Sequence, residues 1–367
     1  MNVYSRENET MNDRESIYDW VRLIAIIFVV IGHSTYLKIT STYGGVSYVV
    51  SPEISDTYYS GLFWIQRVLA TWVYSFHMPL FFMLSGAVLA LKPLKAFNIF
   101  VKSKVKRLLV PYYFYGLLFM LPIKYIGQFY NEESIGKACI FFLTGDEGSH
   151  LWFFFALFWC MIAFFIFVKL LQMFKIDKLY LILFLSFTVS LVHSYIPIDP
   201  FFFKKGLSYV LYFAIGYCFE KERKKCMEIK VWNTKNMFFI FSFLFVLEMI
   251  IIKFDVPRGY FVSLVGCAFT FAMAYLCDKM FKNVSNSKIW DLVTRNLFYV
   301  YIFHDPLNYL ILRIFFSSDY LNYGGGCIMY LLSRTLFVIV ISIILGECVR
   351  LIKNKFVKKK LVVSIGK

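Results

Sequence analysis

Apolar runs, separated by short polar stretches, recur along the whole chain. Ten of them are long enough, or nearly long enough, to cross a bilayer: 20–37, 68–91, 108–126, 151–171, 179–194, 206–220, 237–254, 259–277, 296–316 and 327–346. A hydrocarbon core of about 30 Å takes roughly 20 residues of helix. Backbone N–H and C=O groups in lipid must be satisfied within the segment, so each run predicts a helix. The fifth and sixth are the shortest. The pattern predicts an all-α polytopic membrane protein with about ten transmembrane helices. The run Ile135–Leu143 is apolar but too short to span and predicts a re-entrant or interfacial piece.

Charge orients this pattern. With the N-terminus in the cytoplasm, segments 1–19, 92–107, 169–178, 221–236, 278–288 and 347–367 hold 27 Lys and Arg residues. The opposite loops, 38–61, 122–150, 195–205, 253–258 and 317–326, hold 7. Cytoplasmic loops carry the excess of Lys and Arg, so this bias predicts both termini inside. Losing one helix from the middle would invert every later loop. The expected organisation is a cytoplasmic segment 1–19, a single transmembrane domain 20–346 and a basic tail 347–367 lying along the anionic inner leaflet. No internal repeat, linker or appended soluble domain is visible. With no small-residue cleavage site after it, the first apolar run is expected to stay as a membrane anchor.

Composition agrees with this class. The chain of 367 residues is 59% hydrophobic and 21% aromatic, with a mean hydropathy of +0.64. These values lie far from those of a soluble domain. A net charge of +16 would fit nucleic acid. The basic residues instead cluster in short loops between apolar runs, so they are read as topology signals and no nucleic-acid partner is expected. The eight Cys form no CxxC pair, and neither a disulfide framework nor a metal site is expected.

Ionisable residues inside spans are costly and are functional candidates by default. The first span carries three, Asp19, Arg22 and His33. Arg22 and His33 are eleven residues apart, so at about 100° per residue they share one helix face, about 16 Å apart along the axis. Asp19, three residues before Arg22, lies on the same stripe and could fix its rotamer. Arg22 reads either as a snorkelling residue or as an anion clamp facing the cytoplasm. His33, at mid-depth, needs a polar partner or cavity, and an imidazole suits general-base work near neutrality. His77 and His304 also fall deep in spans, beside Pro79 and Pro306. Pro79 is expected to open backbone carbonyls toward a cavity. Three deep His on three helices point to a polar chamber. Gly86 after Ser85 reads as a close-packing contact. His150 and Trp152 stand at the outer mouth of the fourth span, where an aromatic belt is the plain reading. Lys104 and Arg107 precede the third span and read first as topology signals, then as neighbours of Arg22 able to bind a polyphosphate.

The order of these elements resembles the membrane-bound acyltransferase-3 family of sugar O-acyltransferases over nearly the whole chain. The most specific element is Asp-x-x-Arg, ten residues and a His, here Asp19, Arg22 and His33. SFHMPLFFMLSG at 75–86, KVKRLLVPYY at 104–113, HLWFF at 150–154, LYFAIGY at 211–217 and YIFHDPL at 301–307 are similar to further family elements. The resemblance implies about ten helices in a cell membrane. It implies a cytoplasmic acyl-CoA donor, usually acetyl-CoA, with no bound cofactor. The acceptor would be a hydroxyl of a cell-surface glycan or its lipid-linked precursor. Arg22 and His33 match the family's essential pair. Where many members have Arg-x-x-Arg before the third helix, this chain has Lys104-x-x-Arg107. A Lys offers a point charge in place of a bidentate fork.

On this reading Arg22, Arg107 and Lys104 hold the donor phosphates, and His33 is general base or acyl-carrying nucleophile. His77, Ser85, His150, Trp152 and His304 are candidates for orienting the acceptor or stabilising the oxyanion. Two rivals share the helix count: an exporter of a glycan or lipid-linked saccharide, and a glycan polymerase. The missing repeat argues against the first, and the modest outer loop 122–150 against the second.

Overall fold

A computed structural model of the chain describes residues 16–35, 38–39, 41–49, 60–146, 148–175, 178–227, 233–254, 256–257, 259–315 and 326–365. The N-terminal segment up to residue 15 and the loop stretches 50–59 and 316–325 lie outside the described residues.

Among the described residues the ten expected segments fall largely on helix, the sixth, 206–220, being divided at Tyr209 between two helices. In chain order the described elements begin with α1 (Ser16–Ser34), the two-residue strands β1 (Lys38–Ile39) and β2 (Tyr48–Val49), α2 (Ser60–Ala90), α3 (Phe97–Ile126), α4 (Ile135–Thr144) and α5 (Trp152–Met173). They continue with α6 (Leu179–Val192), α7 (Phe203–Ser208), α8 (Val210–Met227), α9 (Thr234–Lys253), α10 (Tyr260–Met280), α11 (Lys282–Ser285), α12 (Lys288–Phe315) and α13 (Gly326–Ile365). β1 and β2 pair antiparallel. Among the described residues, seven helical stretches are long and apolar enough to cross a membrane, and Leu179–Tyr195 is a shorter apolar one. α8 and α12 are comparably long but less apolar. α8 runs into the charged stretch Glu220–Lys225, and α12 is interrupted by Asp305, Asn308 and Arg313. α13 continues through most of the basic tail, to Ile365.

The sequence explains several local features. Asn233 caps α9, its side chain accepting from the Asn236 N–H at 2.9 Å. α3 contains two π-helical turns, Val105–Leu109 and Gly116–Met120. Each lies just before a proline, Pro111 or Pro122, whose missing N–H breaks the regular ladder. The short apolar run falls in helix α4.

The described chain packs as two compact units. The first comprises residues up to 25, then 72–114 and 141–287; the second comprises 26–71, 115–140 and 288–367. In the first, α2 and α8 cross closely through glycines. A Cβ on Gly86 would stand 1.9 Å from Phe213 O, and one on Gly216 would stand 1.8 Å from Met83 O. Only hydrogen fits there, which is the close packing read at Ser85–Gly86.

Pro79 corrects one expectation. Proline at 79 leaves the carbonyl of Ser75 without its helical donor. That carbonyl does not open onto a cavity: Ser263 Oγ on α10 donates to it at 2.7 Å. A hydroxyl from the neighbouring helix satisfies the freed acceptor, as an apolar interior demands.

In the second unit, α12 and α13 pack along each other with the last turns of α1 and α3. The stretches 41–46 and 127–131 meet there through Val46 N to Gln128 O at 2.8 Å. Tyr309 on α12 fastens them by donating its hydroxyl to Val46 O.

Candidate active site

Three elements of the second unit bring ionisable side chains together. His33 stands in the last turn of α1, Lys124 in the last turn of α3, and His304 and Asp305 lie midway along α12. Asp305 Oδ1 is 3.6 Å from His33 Nδ1. Its other oxygen, Oδ2, is 2.7 Å from Lys124 Nζ. The shorter contact is a charge-assisted hydrogen bond, and the longer is an electrostatic contact outside hydrogen-bond range. Lys124 is buried, and its ammonium also lies over the Phe129 ring, 4.8 Å from the centroid. A carboxylate thus links a buried lysine to an imidazole.

His304 meets His33 edge to face, with ring centroids 4.6 Å apart. It is fully buried, and its Nδ1 lies 2.6 Å from Tyr301 O. A carbonyl only accepts, so Nδ1 carries the hydrogen and the tautomer is set. Above the cluster lies an aromatic cover of Tyr43, Phe129, Tyr130 and Tyr309, in mutual ring contact. Burial first, then the nearby Asp305 charge, pushes the Tyr130 phenol well above its ordinary value, so it stays a neutral hydroxyl.

The main chain at His33 is held from behind. Arg334 of α13 is 1% exposed. Its guanidinium donates to Ser34 O at 2.8 Å, to His33 O at 3.2 Å and to Asn308 Oδ1 at 3.2 Å. Thr35 Oγ1 donates to Gly32 O at 2.6 Å. The last carbonyls of a helix have no intrahelical partner and carry the negative end of its dipole. A buried cation that caps them satisfies acceptors and charge together.

The other sequence-predicted residues belong to the first unit. Asp19 is buried, and its Oδ1 lies 3.2 Å from Arg22 Nη1, so the acid does hold the arginine as its spacing implied. Lys104 is half-buried, with its ammonium 4.9 Å over Phe100, and Arg107 is exposed within the first π-turn of α3. His77 is buried. Its Nδ1 is 2.9 Å from Val73 O of its own helix, and its ring packs on Tyr74. Ser85 is half-buried beside the α2–α8 crossing, His150 is buried, and Trp152 is half-buried. Of the three deep histidines, His33 and His304 are in contact, and His77 belongs to the other unit.

Sequence reasoning assigned no role to Asp305, Lys124, Asn308 or Arg334. The signal was present in part. Lys124 and Arg334 are charges inside apolar runs, the feature that singled out Arg22. Among the described residues no three of His, Cys, Asp and Glu converge to hold a metal ion.

A sequence model of a protein family, described as an acyltransferase domain, matches residues 16–347. The chain belongs to the acyltransferase-3 family. The match includes α1 with Asp19, Arg22 and His33, and α12 with His304 and Asp305. No curated protein and no solved structure matches the chain. Family and apolar helices together make this acyltransferase a multi-pass membrane protein.

Proposed function

We propose that this acyltransferase moves an acyl group, acetyl in the first instance, from cytoplasmic acyl-CoA to a hydroxyl of a cell-surface glycan or its lipid-linked precursor. The membrane would be the cell membrane, with both termini inside. The observation that carries the reading is the Lys124–Asp305–His33 chain. In a membrane interior, a histidine backed by a carboxylate is suited to taking a proton during acyl transfer.

Asp305 beside Nδ1 favours a proton on that nitrogen and leaves Nε2 as the base. Nε2 takes the hydroxyl proton as the sugar oxygen attacks the thioester carbonyl, and Asp305 stabilises the imidazolium that forms. The tetrahedral intermediate collapses, the C–S bond breaks, and the CoA thiolate leaves with a proton from His33. Lys124 keeps the carboxylate charged and oriented. The same imidazole could instead carry the acyl group as nucleophile. Arg22, tied to Asp19, would grip the donor phosphates together with Arg107 and Lys104. His304 would orient His33 by ring contact. The remaining candidates, His77, Ser85, His150 and Trp152, would serve the acceptor side.

The test is transfer of label from radiolabelled acetyl-CoA to glycan in membranes containing the chain. Loss of transfer in His33→Ala, with expression and insertion unchanged, is the expected result. Transfer at the wild-type level in that variant overturns the mechanism.

A further inference from the structure

Among the described residues outside glycine, five adopt positive φ, and three of them converge on one patch of the first unit: Ser149 (45°), Phe201 (49°) and Phe202 (58°). A phenylalanine in the left-handed region is strained, by about 1–3 kcal/mol per residue, and persists only where its surroundings over-determine it. Here the rings do so. A Cβ on Gly145 would stand 2.3 Å from the Phe201 ring, and one on Gly148 would stand 3.0 Å from the Phe202 ring. Phe201 also packs on Phe155, with centroids 5.0 Å apart. The turn before α5 and the turn before α7 are thereby locked to each other.

What the lock holds is a cation on an aromatic stack. Lys205 of α7 is exposed, and its Nζ lies 3.9 Å above the Trp152 ring. Trp152 stacks toward Tyr209, 6.1 Å between centroids, and Tyr209 stacks on Phe82 at 4.4 Å and 7°. Trp152 and Tyr209 are half-buried. Asp199 accepts the backbone N–H of Lys204 at 2.7 Å, and its charge also acts on Lys205. A free lysine would lose rotamer entropy on binding an anion; here the indole already restrains it. The ammonium keeps donors on its open side. Lys204 and Lys205 both belong to α7.

We infer that Lys205, Trp152 and Tyr209 form a binding subsite for an anionic saccharide. Lys205 pairs with a uronate carboxylate or phosphodiester, and the two aromatic edges receive the sugar ring. The inference rests on the proposed glycan acceptor and narrows it to acidic glycans.

Calorimetry on the purified full chain, without acyl-CoA, tests this with three probes: a hexauronate oligosaccharide, its carboxyl-reduced neutral counterpart and a phosphodiester-linked oligosaccharide. At least one charged probe should bind ten-fold or more tightly than the neutral one, and which one identifies the anion. Lys205→Gln should remove that preference, Lys205→Arg should keep most of it, and Lys204→Gln, one residue away, should leave it intact. Equal binding of charged and neutral probes overturns the subsite, as does loss of preference in Lys204→Gln to the same extent. A misfolded Lys205→Gln would lose neutral binding too, and Lys205→Arg then decides. Charge-selective binding without label transfer would sink the enzyme reading alone; transfer without such binding would sink the subsite alone.

Discussion

Asp305 stands between His33 and Lys124, 3.6 Å from the imidazole and 2.7 Å from the ammonium. The carboxylate is closer to the ammonium than to the imidazole. Much of its charge is therefore answered by Lys124.

Replacing the carboxylate tests that role. Asp305→Asn keeps the shape and removes the charge that stabilises the imidazolium. The expected outcome is a fall in kcat of about 100-fold or more, with the KM for acyl-CoA within about twofold. Steady-state kinetics in membranes, at matched expression, measure both. A large rise in donor KM at unchanged kcat would assign Asp305 to binding.

Lys124→Gln removes the counter-ion of a partly buried carboxylate. Breaking a buried pair costs roughly 3–5 kcal/mol, and the partial exposure of Asp305 puts this case toward or below the lower end. The variant should melt earlier in detergent. Adding Asp305→Asn removes the orphaned charge, so the double variant should recover most of the lost stability and none of the activity. Strictly additive losses would show that the two residues are not coupled.

Arg334→Lys retains the charge and discards the fork. A single ammonium cannot reach Ser34 O, His33 O and Asn308 Oδ1 together. Thermal stability should fall by about 1–3 kcal/mol, the scale of one lost charge-assisted hydrogen bond. Because one of those acceptors is the main chain of His33, kcat should fall about ten-fold with donor KM held. An unchanged kcat in a destabilised variant would limit Arg334 to holding the fold.

Ser263 and Pro79 should show opposite-sign coupling. Ser263→Ala leaves the Ser75 carbonyl without its donor and should cost about 1–3 kcal/mol. Pro79→Ala restores the helical N–H for that carbonyl. The double variant should therefore be more stable than Ser263→Ala alone, read as a melting temperature. If Pro79→Ala lowers stability equally in both backgrounds, the carbonyl is not the link.

Much of this was legible in the chain, for reasons that can be named. Apolar runs of about 20 residues in a chain with this charge bias leave little alternative to helices, and among the described residues seven stretches are long and apolar enough to cross a membrane. The Asp19–Arg22 contact followed from three-residue spacing on a helix face. The Ser85–Gly86 packing followed from small size. Such features are local: each depends on residues within a few turns, where helix geometry sets the distances.

His33 itself was also visible, because an imidazole in an apolar run needs an explanation. Its partners were not. Asp305 is 272 positions further along the chain and Arg334 is 301 positions away, and nothing local links them to α1. Lys124 and Arg334 looked alike in the sequence, as single charges inside apolar runs. Packing separates them: one neutralises a carboxylate, the other caps a helix. The sequence by itself determined the helices, the family and the residues too polar for lipid. Only the tertiary structure decided which of those residues satisfy one another, because in an apolar interior a charge is stabilised by whatever long-range packing brings within about 4 Å.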